Sequence, residues 1–340
     1  MSKRTLRALI AVFGLLTSVM TCVAPAAAQQ KVTVTHPTDS LAAVPMYVAR
    51  AMDYFKSVGL DAEFIRSGSG PKSLAAMVSG GADIYVGATQ AVLKAREEGV
   101  DAVLFDAIMT QYTSTLVVSK EWADKNNITA AMPAAKKAAA LKGARIGANA
   151  GGSELIVRYI ARLAGLNPDR DMTIAVMGGD SADMLAALSA GRIDGYSMSP
   201  PASQVGVKQY GAAILLNTPI GEVDELNGYF FIGASAMKSW LDAHQDIAGK
   251  FNKAIQMALE TLKDPAKSTV ARDKVHQQFY SSIDKDVFDL AWSDIAKGAP
   301  SSIHISRAMM DNVVKLSKDI GGSQLKESVI DGSYINIPPP

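Results

Sequence analysis

The chain has 340 residues, with 34 Lys and Arg against 33 Asp and Glu, a formal net charge of +1, and 48% hydrophobic residues. So even a balance of charge gives no reason to expect nucleic acid or an anionic membrane as a partner. At roughly 100–200 residues per domain the chain has room for about two, each with a sizeable core.

The first residues read as an export signal. Lys3, Arg4 and Arg7 form a basic start, residues 8–20 an apolar stretch, and Ala26, Ala27 and Ala28 a small-residue cleavage site. The apolar stretch is too short for the roughly 20 residues a membrane span needs. Cleavage near Ala28 would take the formal charge from +1 to −2 and remove Cys22, the one cysteine. Met20 and Thr21 before Cys22 do not make a lipid-anchor signal. A mature chain without thiols excludes disulfides, thiolate catalysis and cysteine-based metal sites. Export without disulfides fits a bacterial periplasm.

From residue 31 onward, short apolar runs alternate with helical patterns. Strands are expected at 31–35, 62–66, 83–86 and 102–109, with helices at 45–58, 71–79 and 91–98 between them. This alternation implies βαβ units and a mostly parallel sheet. The order recurs after residue 143, with strands at 144–148, 172–177 and 193–198 and helices at 153–163 and 182–190. Residues 73–88 (SLAAMVSGGADIYVGA) align without a gap on 184–199 (MLAALSAGRIDGYSMS). Leu74/Leu185, Ala75/Ala186, Ala76/Ala187, Gly80/Gly191, Asp83/Asp194 and Tyr85/Tyr196 are identical pairs, so two duplicated lobes are expected. The extended segments 114–122 and 229–240 read as the two strands of a hinge. The first lobe is then 29–112 plus 237–340 and the second 113–236. Beyond Leu241 the chain is helical, with apolar stripes at Ile247, Phe251, Ile255, Leu259 and Leu262 and at Ile305, Met309, Val313 and Leu316. These helices are expected to cover the first lobe.

In open α/β sheets ligands sit beyond the carboxyl ends of the strands, where unpaired N–H groups and the helix dipole favour negative charge. Small, hydroxyl-rich turns fall at these points. Thr38, Ser40, Leu41, Ser67, Gly68, Ser69, Ala88 and Thr89 belong to the first lobe, and Gly152, Ser153, Asp180, Ser197 and Ser199 to the second. Tyr112, Met177 and Met198 are apolar candidates. Ser, Thr and Asp are also ordinary helix caps, and Asp180 with Asp183 resembles a capping box. Arg66 and Lys72 flank the Ser67–Gly70 turn and could neutralise an anion. The four histidines, His36, His244, His276 and His304, are isolated and have no metal-ligand spacing. His36 could point into the cleft. No metal, cofactor or catalytic residue is expected.

Four segments carry a family resemblance. Residues 44–64 (VPMYVARAMDYFKSVGLDAEF), 68–88 (GSGPKSLAAMVSGGADIYVGA), 141–153 (LKGARIGANAGGS) and 185–200 (LAALSAGRIDGYSMSP) occur in that order. Together they make the chain similar to the substrate-binding proteins of bacterial ABC transporters for sulfonates, taurine, nitrate and thiamine-pyrimidine precursors. The resemblance implies the type II periplasmic binding protein fold, a cleft that closes on a small-molecule ligand, and docking of a monomer to a membrane permease. Family members often carry an acidic residue and an aromatic near the Tyr196 strand end. Ser197-Met198-Ser199-Pro200-Pro201 stands there instead, so a small organic anion held by N–H and hydroxyl donors is expected. A membrane sensor and a neutral pyrimidine-type solute are the alternatives. Two enzymes of similar fold, a thiamine-pyrimidine synthase and porphobilinogen deaminase, each rely on cysteine, which the mature chain lacks.

Overall fold

The computed structural model describes residues 29–178, 181–320 and 325–340. The expected signal segment, its cleavage point, Cys22 and Asp180 lie outside the described residues.

Strands β1 (Gln30–His36), β2 (Leu60–Arg66), β3 (Ile84–Ala88) and β4 (Ala102–Met109) form the first sheet. Helices α1 (Val44–Ala51), α2 (Tyr54–Ser57), α3 (Gly70–Val78) and α4 (Thr89–Glu97) connect them. Every residue of β4 is buried, as expected of a strand covered on both faces. The chain then crosses over. The second sheet takes β5 (Thr115–Val118), β6 (Arg145–Asn149), β7 (Thr173–Met177), β8 (Gly195–Met198) and β9 (Ala213–Asn217). Its helices are α5 (Lys120–Lys125), α6 (Ala134–Ala139), α7 (Gly152–Leu163), α8 (Ser181–Ser189) and α9 (Ala202–Tyr210).

A return crossing leads to β10 (Ile232–Met237), which re-enters the first sheet between β3 and β4. The strand orders are β2-β1-β3-β10-β4 and β7-β6-β8-β5-β9, so the two sheets have equivalent order. In each, the strand supplied from across the crossing, β10 or β5, pairs antiparallel with both neighbours. A division that follows the sheets puts the return crossing in residues 218–231, ahead of the expected boundary at 236/237.

The duplication extends to hydrogen bonds. Asp83 exchanges two bonds with the Thr33 backbone: its Oδ2 accepts from Thr33 N at 2.7 Å and its own N–H donates to Thr33 O at 2.9 Å. Asp194 does the same with Arg145, at 2.8 and 2.7 Å. The identical aspartates of the repeat thus fasten equivalent strand pairs, β1–β3 and β6–β8.

The crossings are tied to each other. Thr218 Oγ1 donates to the carbonyls of Tyr112 (3.1 Å) and Ser114 (2.8 Å), and Gln111 Nε2 donates to the Thr218 carbonyl at 2.8 Å. Beyond β10 come α10 (Lys238–Ala243), α11 (Gln245–Lys263), α12 (Pro265–Phe279), α13 (Lys285–Ala296) and α14 (Arg307–Ile320). Helices α11 and α12 pack on α1 of the first lobe, as expected. Helix α13 reaches further. It touches α12 on one side and α9 of the second lobe on the other, with Phe288 in the main core and Val287 in the second lobe's own cluster. Asp294 on α13 accepts from Gln204 Nε2 (3.1 Å) and Asn217 Nδ2 (3.3 Å). Helix α14 likewise packs against both α4 and α7. One apolar stripe cannot reveal that a helix serves two lobes.

Candidate functional site

A cleft of about 1050 Å³ lies between the lobes and is walled by both. It is at the upper end of the roughly 300–1,000 Å³ usual for small-molecule sites. The first lobe contributes the turns after β1, β2 and β3, and the second those after β6, β7 and β8. The lobes touch directly at one edge, where Leu41 N–H donates to the Pro200 carbonyl at 2.9 Å.

Eight of the expected residues line the cleft: Thr38, Ser40, Gly68, Ser69, Ala88, Gly152, Ser153 and Ser199. Several of their hydroxyls are committed locally. Ser40 Oγ caps the short 3-10 turn Leu41–Ala43 by accepting from Ala42 N, and Ser69 Oγ accepts from Lys72 N at the start of α3. Ser199 Oγ pairs with Thr113 Oγ1 at 2.9 Å, and Ser153 Oγ with Ser114 Oγ at 3.4 Å. Met177, Met198, His36, Arg66 and Lys72 line it as well.

Five expected residues do not line it. Leu41 is fully buried in the first lobe's core. Ser67 turns its hydroxyl back onto Ser73 and the Ser69 carbonyl. Thr89 and Ser197 are wholly buried, with hydroxyls that have no partner among the described residues. Tyr112 donates its hydroxyl to the Gly152 carbonyl and stacks on Phe231, with centroids 4.3 Å apart and planes at 22°. It is Phe231 that lines the cleft, so Tyr112 backs the wall rather than forming it. Sequence reasoning located the turns, but side chains on one turn point to opposite sides.

The helix ends facing the cleft differ. The N-caps of α4 and α7 are Ala88 and Gly151, and neither makes a side-chain cap bond. Gly151 has φ +96°, a conformation that favours glycine. No side chain caps either helix start, although at α4 the Thr89 N–H donates to the Phe231 carbonyl at 3.0 Å, and the dipole of both ends favours an anion.

Charge follows the same division. The three carboxylates of the lining are paired: Asp39 with Arg66 at 3.5 Å, and Glu154 and Asp169 with Arg158 at 3.0 and 2.6 Å. The Arg158 guanidinium holds the Asp169 carboxyl below its ordinary value. Lys72 and Lys94 line the cleft with no ion-pair partner among the described residues. Burial holds the His36 imidazole below its ordinary pKa, and its Nδ1 lies 3.2 Å from the Thr38 carbonyl. The apolar part comes from Met177, Met198, Phe231, Ile232, Phe279 and Ile283. Phe231, Ile232, Phe279, Tyr280 and Ser282 were not singled out from the sequence. They come from the return crossing, the start of β10 and the end of α12, remote in the chain from every expected strand-end turn.

Residues 26–274 match the NMT1-like family, and the chain belongs to it. The protein YtlA of Bacillus subtilis (strain 168) is 25% identical over 76% of this chain and 73% of its own length. Among solved structures, one from Bordetella bronchiseptica RB50 superposes with TM-score 0.74 at 21% identity, covering 91% of this chain and 95% of that one. The alkanesulfonate-binding protein SsuA from Xanthomonas axonopodis pv. citri, bound to MOPS, superposes with TM-score 0.69 at 16% identity, over 92% of this chain and all of that one. The fold is that of the periplasmic binding proteins.

Proposed function

We propose that this protein is an exported solute-binding component of an ABC importer, which captures a small organic anion between its lobes and presents it to a membrane permease. The observation that carries this reading is the charge pattern of the cleft. Among the described residues its carboxylates are spent in ion pairs, while Lys72 and Lys94 have no ion-pair partner and no side chain caps the starts of α4 and α7. A neutral solute would leave these positive ends without a counterpart.

Each helix end contributes about 0.3–1 kcal/mol to an anion, and up to about 2 where partly buried. Micromolar capture needs about 8 kcal/mol, so apolar contacts with Phe231, Met177 and Met198 supply a large share. That favours an acid with an apolar body, such as an aromatic carboxylate or an alkanesulfonate, over a bare inorganic ion. Capture by hinge closure is a shift of an open–closed equilibrium by a ligand that bridges the lobes.

The test is a thermal-shift panel of alkanesulfonates, taurine, nitrate, and aromatic and aliphatic carboxylates, each acid beside its amide or ester, with pyrimidines as the neutral arm. A bound acid at 100 times its Kd adds about 2.7 kcal/mol, several degrees for a chain of this size. Stabilisation by acids and not by their amides supports the reading; stabilisation by pyrimidines alone contradicts it. Small-angle scattering with the stabilising acid tests closure, which predicts a smaller radius of gyration than without it.

A further inference from the structure

The repeat places a tyrosine at the same point of both lobes, Tyr85 on β3 and Tyr196 on β8, each wholly buried. Their hydroxyls meet different fates. Tyr196 lies in a notch at Gly206 on α9, where an added Cβ would stand 2.1 Å from its Oη, and donates to the Ala202 carbonyl at 2.8 Å. Tyr85 instead runs along its own strand over Gly87, where an added Cβ would stand 2.1 Å from Oη and 2.2 Å from Cζ. Lobe 2 has Met198 at the position of Gly87, so this path is closed to Tyr196.

The Tyr85 ring is thus carried toward the cleft and is part of its lining. Its Oη is 3.8 Å from the Cβ position of Gly70, another lining residue at the start of α3. There the Ala88 backbone N–H approaches the phenol oxygen, but the hydroxyl's own proton has no acceptor among the described residues. A buried unpaired hydroxyl carries a desolvation penalty and calls for an explanation. Burial also pushes the phenol above its ordinary pKa, so it stays protonated and able to donate. The second lobe offers a counterpart. Asn149 at the end of β6 lines the cleft, and its Oδ1 is buried without a partner among the described residues.

We propose that Tyr85 is a ligand-contacting and specificity-determining residue, whose hydroxyl donates a hydrogen bond to an oxyanion of the bound organic acid. This rests on the cleft reading given above. Duplication supplied the same tyrosine twice. Glycine at position 87 leaves room for one copy to run toward the ligand, while the other is a structural strut.

The probes are benzoate and butane-1-sulfonate, titrated calorimetrically beside benzamide into the whole protein and its Tyr85→Phe and Tyr196→Phe variants. A hydrogen bond to a charged group predicts that Tyr85→Phe weakens the bound acid about 10- to 100-fold. Benzamide affinity should change less, and Tyr196→Phe should leave acid affinity within about twofold. Without ligand, Tyr85→Phe should melt within a degree or so of the unchanged protein, because the proton it removes has no acceptor among the described residues. If the unchanged protein binds an acid and Tyr85→Phe binds it equally, the role of Tyr85 is overturned and the cleft reading stands. If the unchanged protein binds neither acid, both are overturned. If ligand-free Tyr85→Phe melts several degrees lower, the hydroxyl has a structural partner and the inference falls with either probe.

Discussion

Gly87 permits a quantitative test of how β3 is built. An alanine there would place its Cβ 2.1 Å from Tyr85 Oη, 2.2 Å from Cζ and 2.5 Å from Cε2. Carbon contacts settle near 3.5–4.0 Å, so the overlap is about 1–2 Å against three atoms of one side chain. No small shift relieves that, because Gly87 is held in the sheet opposite Gly233 on β10. The ring must leave its site. Overpacking alone costs about 1–3 kcal/mol, and complete loss of a buried ring about 3–5. Gly87→Ala is therefore expected to cost about 3 kcal/mol, read by calorimetric melting as a fall of about 6–12 °C. In a Tyr85→Leu background the ring is gone, and the same substitution should cost less than about 1 kcal/mol. The resulting coupling of about 2 kcal/mol is well above the scatter for independent sites. If the two substitutions add within about 0.5 kcal/mol, Tyr85 does not lie over Gly87.

Other perturbations probe other parts. Asp294→Ala leaves the side chains of Gln204 and Asn217, both buried, without their acceptor. A loss of about 2–4 kcal/mol is expected in denaturant unfolding, with a more expanded ligand-free form in scattering, because α13 loses a hold on the second lobe. Lys137 and Glu222 form a 2.6 Å pair with the lysine 5% and the glutamate 24% exposed, and Glu222 keeps the Asn217 N–H, so Lys137→Ala should cost about 1–3 kcal/mol by urea unfolding. Asp106 on β4 is wholly buried with neither carboxyl oxygen bonded among the described residues, and burial raises its pKa well above the ordinary value. A raised carboxyl favours the folded state only below the unfolded pKa of about 3.9, and that advantage is lost as pH rises toward the folded value. Asp106→Leu should therefore raise the melting temperature at pH 7, with the gain shrinking toward pH 4. His36 shifts the other way: burial lowers its pKa, so stability is full above about 6.5 and declines as pH falls toward the folded value. His36→Gln should flatten the melting profile between pH 7 and 5.

The parts of the molecule legible in its sequence are those governed by local rules. Alternating strands and helices, and the repeat of 73–88 in 184–199, contain the two-sheet architecture, and the symmetric bonds of Asp83 and Asp194 show why those aspartates repeat. The turns that wall the cleft follow from the same pattern. What was not legible depends on pairing across long separations or on side-chain direction. Placing Ile232–Met237 in the first sheet requires knowing that β10 enters between β3 and β4, which alternation cannot tell. Thr89 and Ser197 sit on the expected turns but point into the interior. Tyr85 was visible only as half of a repeat, because its direction is set by the glycine two residues on. Phe231 and Tyr280 reach the cleft through tertiary packing alone.

An organic acid is expected to bind between the lobes with its charge at the starts of α4 and α7, which no side chain caps. A crystal structure with the acid that stabilises the protein most tests it directly. The acid's oxyanion is expected beside the start of α4 at Ala88–Ala91 and the start of α7 at Gly152–Ser153, within hydrogen-bond reach of Tyr85, with its apolar body toward Phe231. An acid bound outside the interlobe cleft, or bound there with its charge turned away from both helix ends, would contradict the claim.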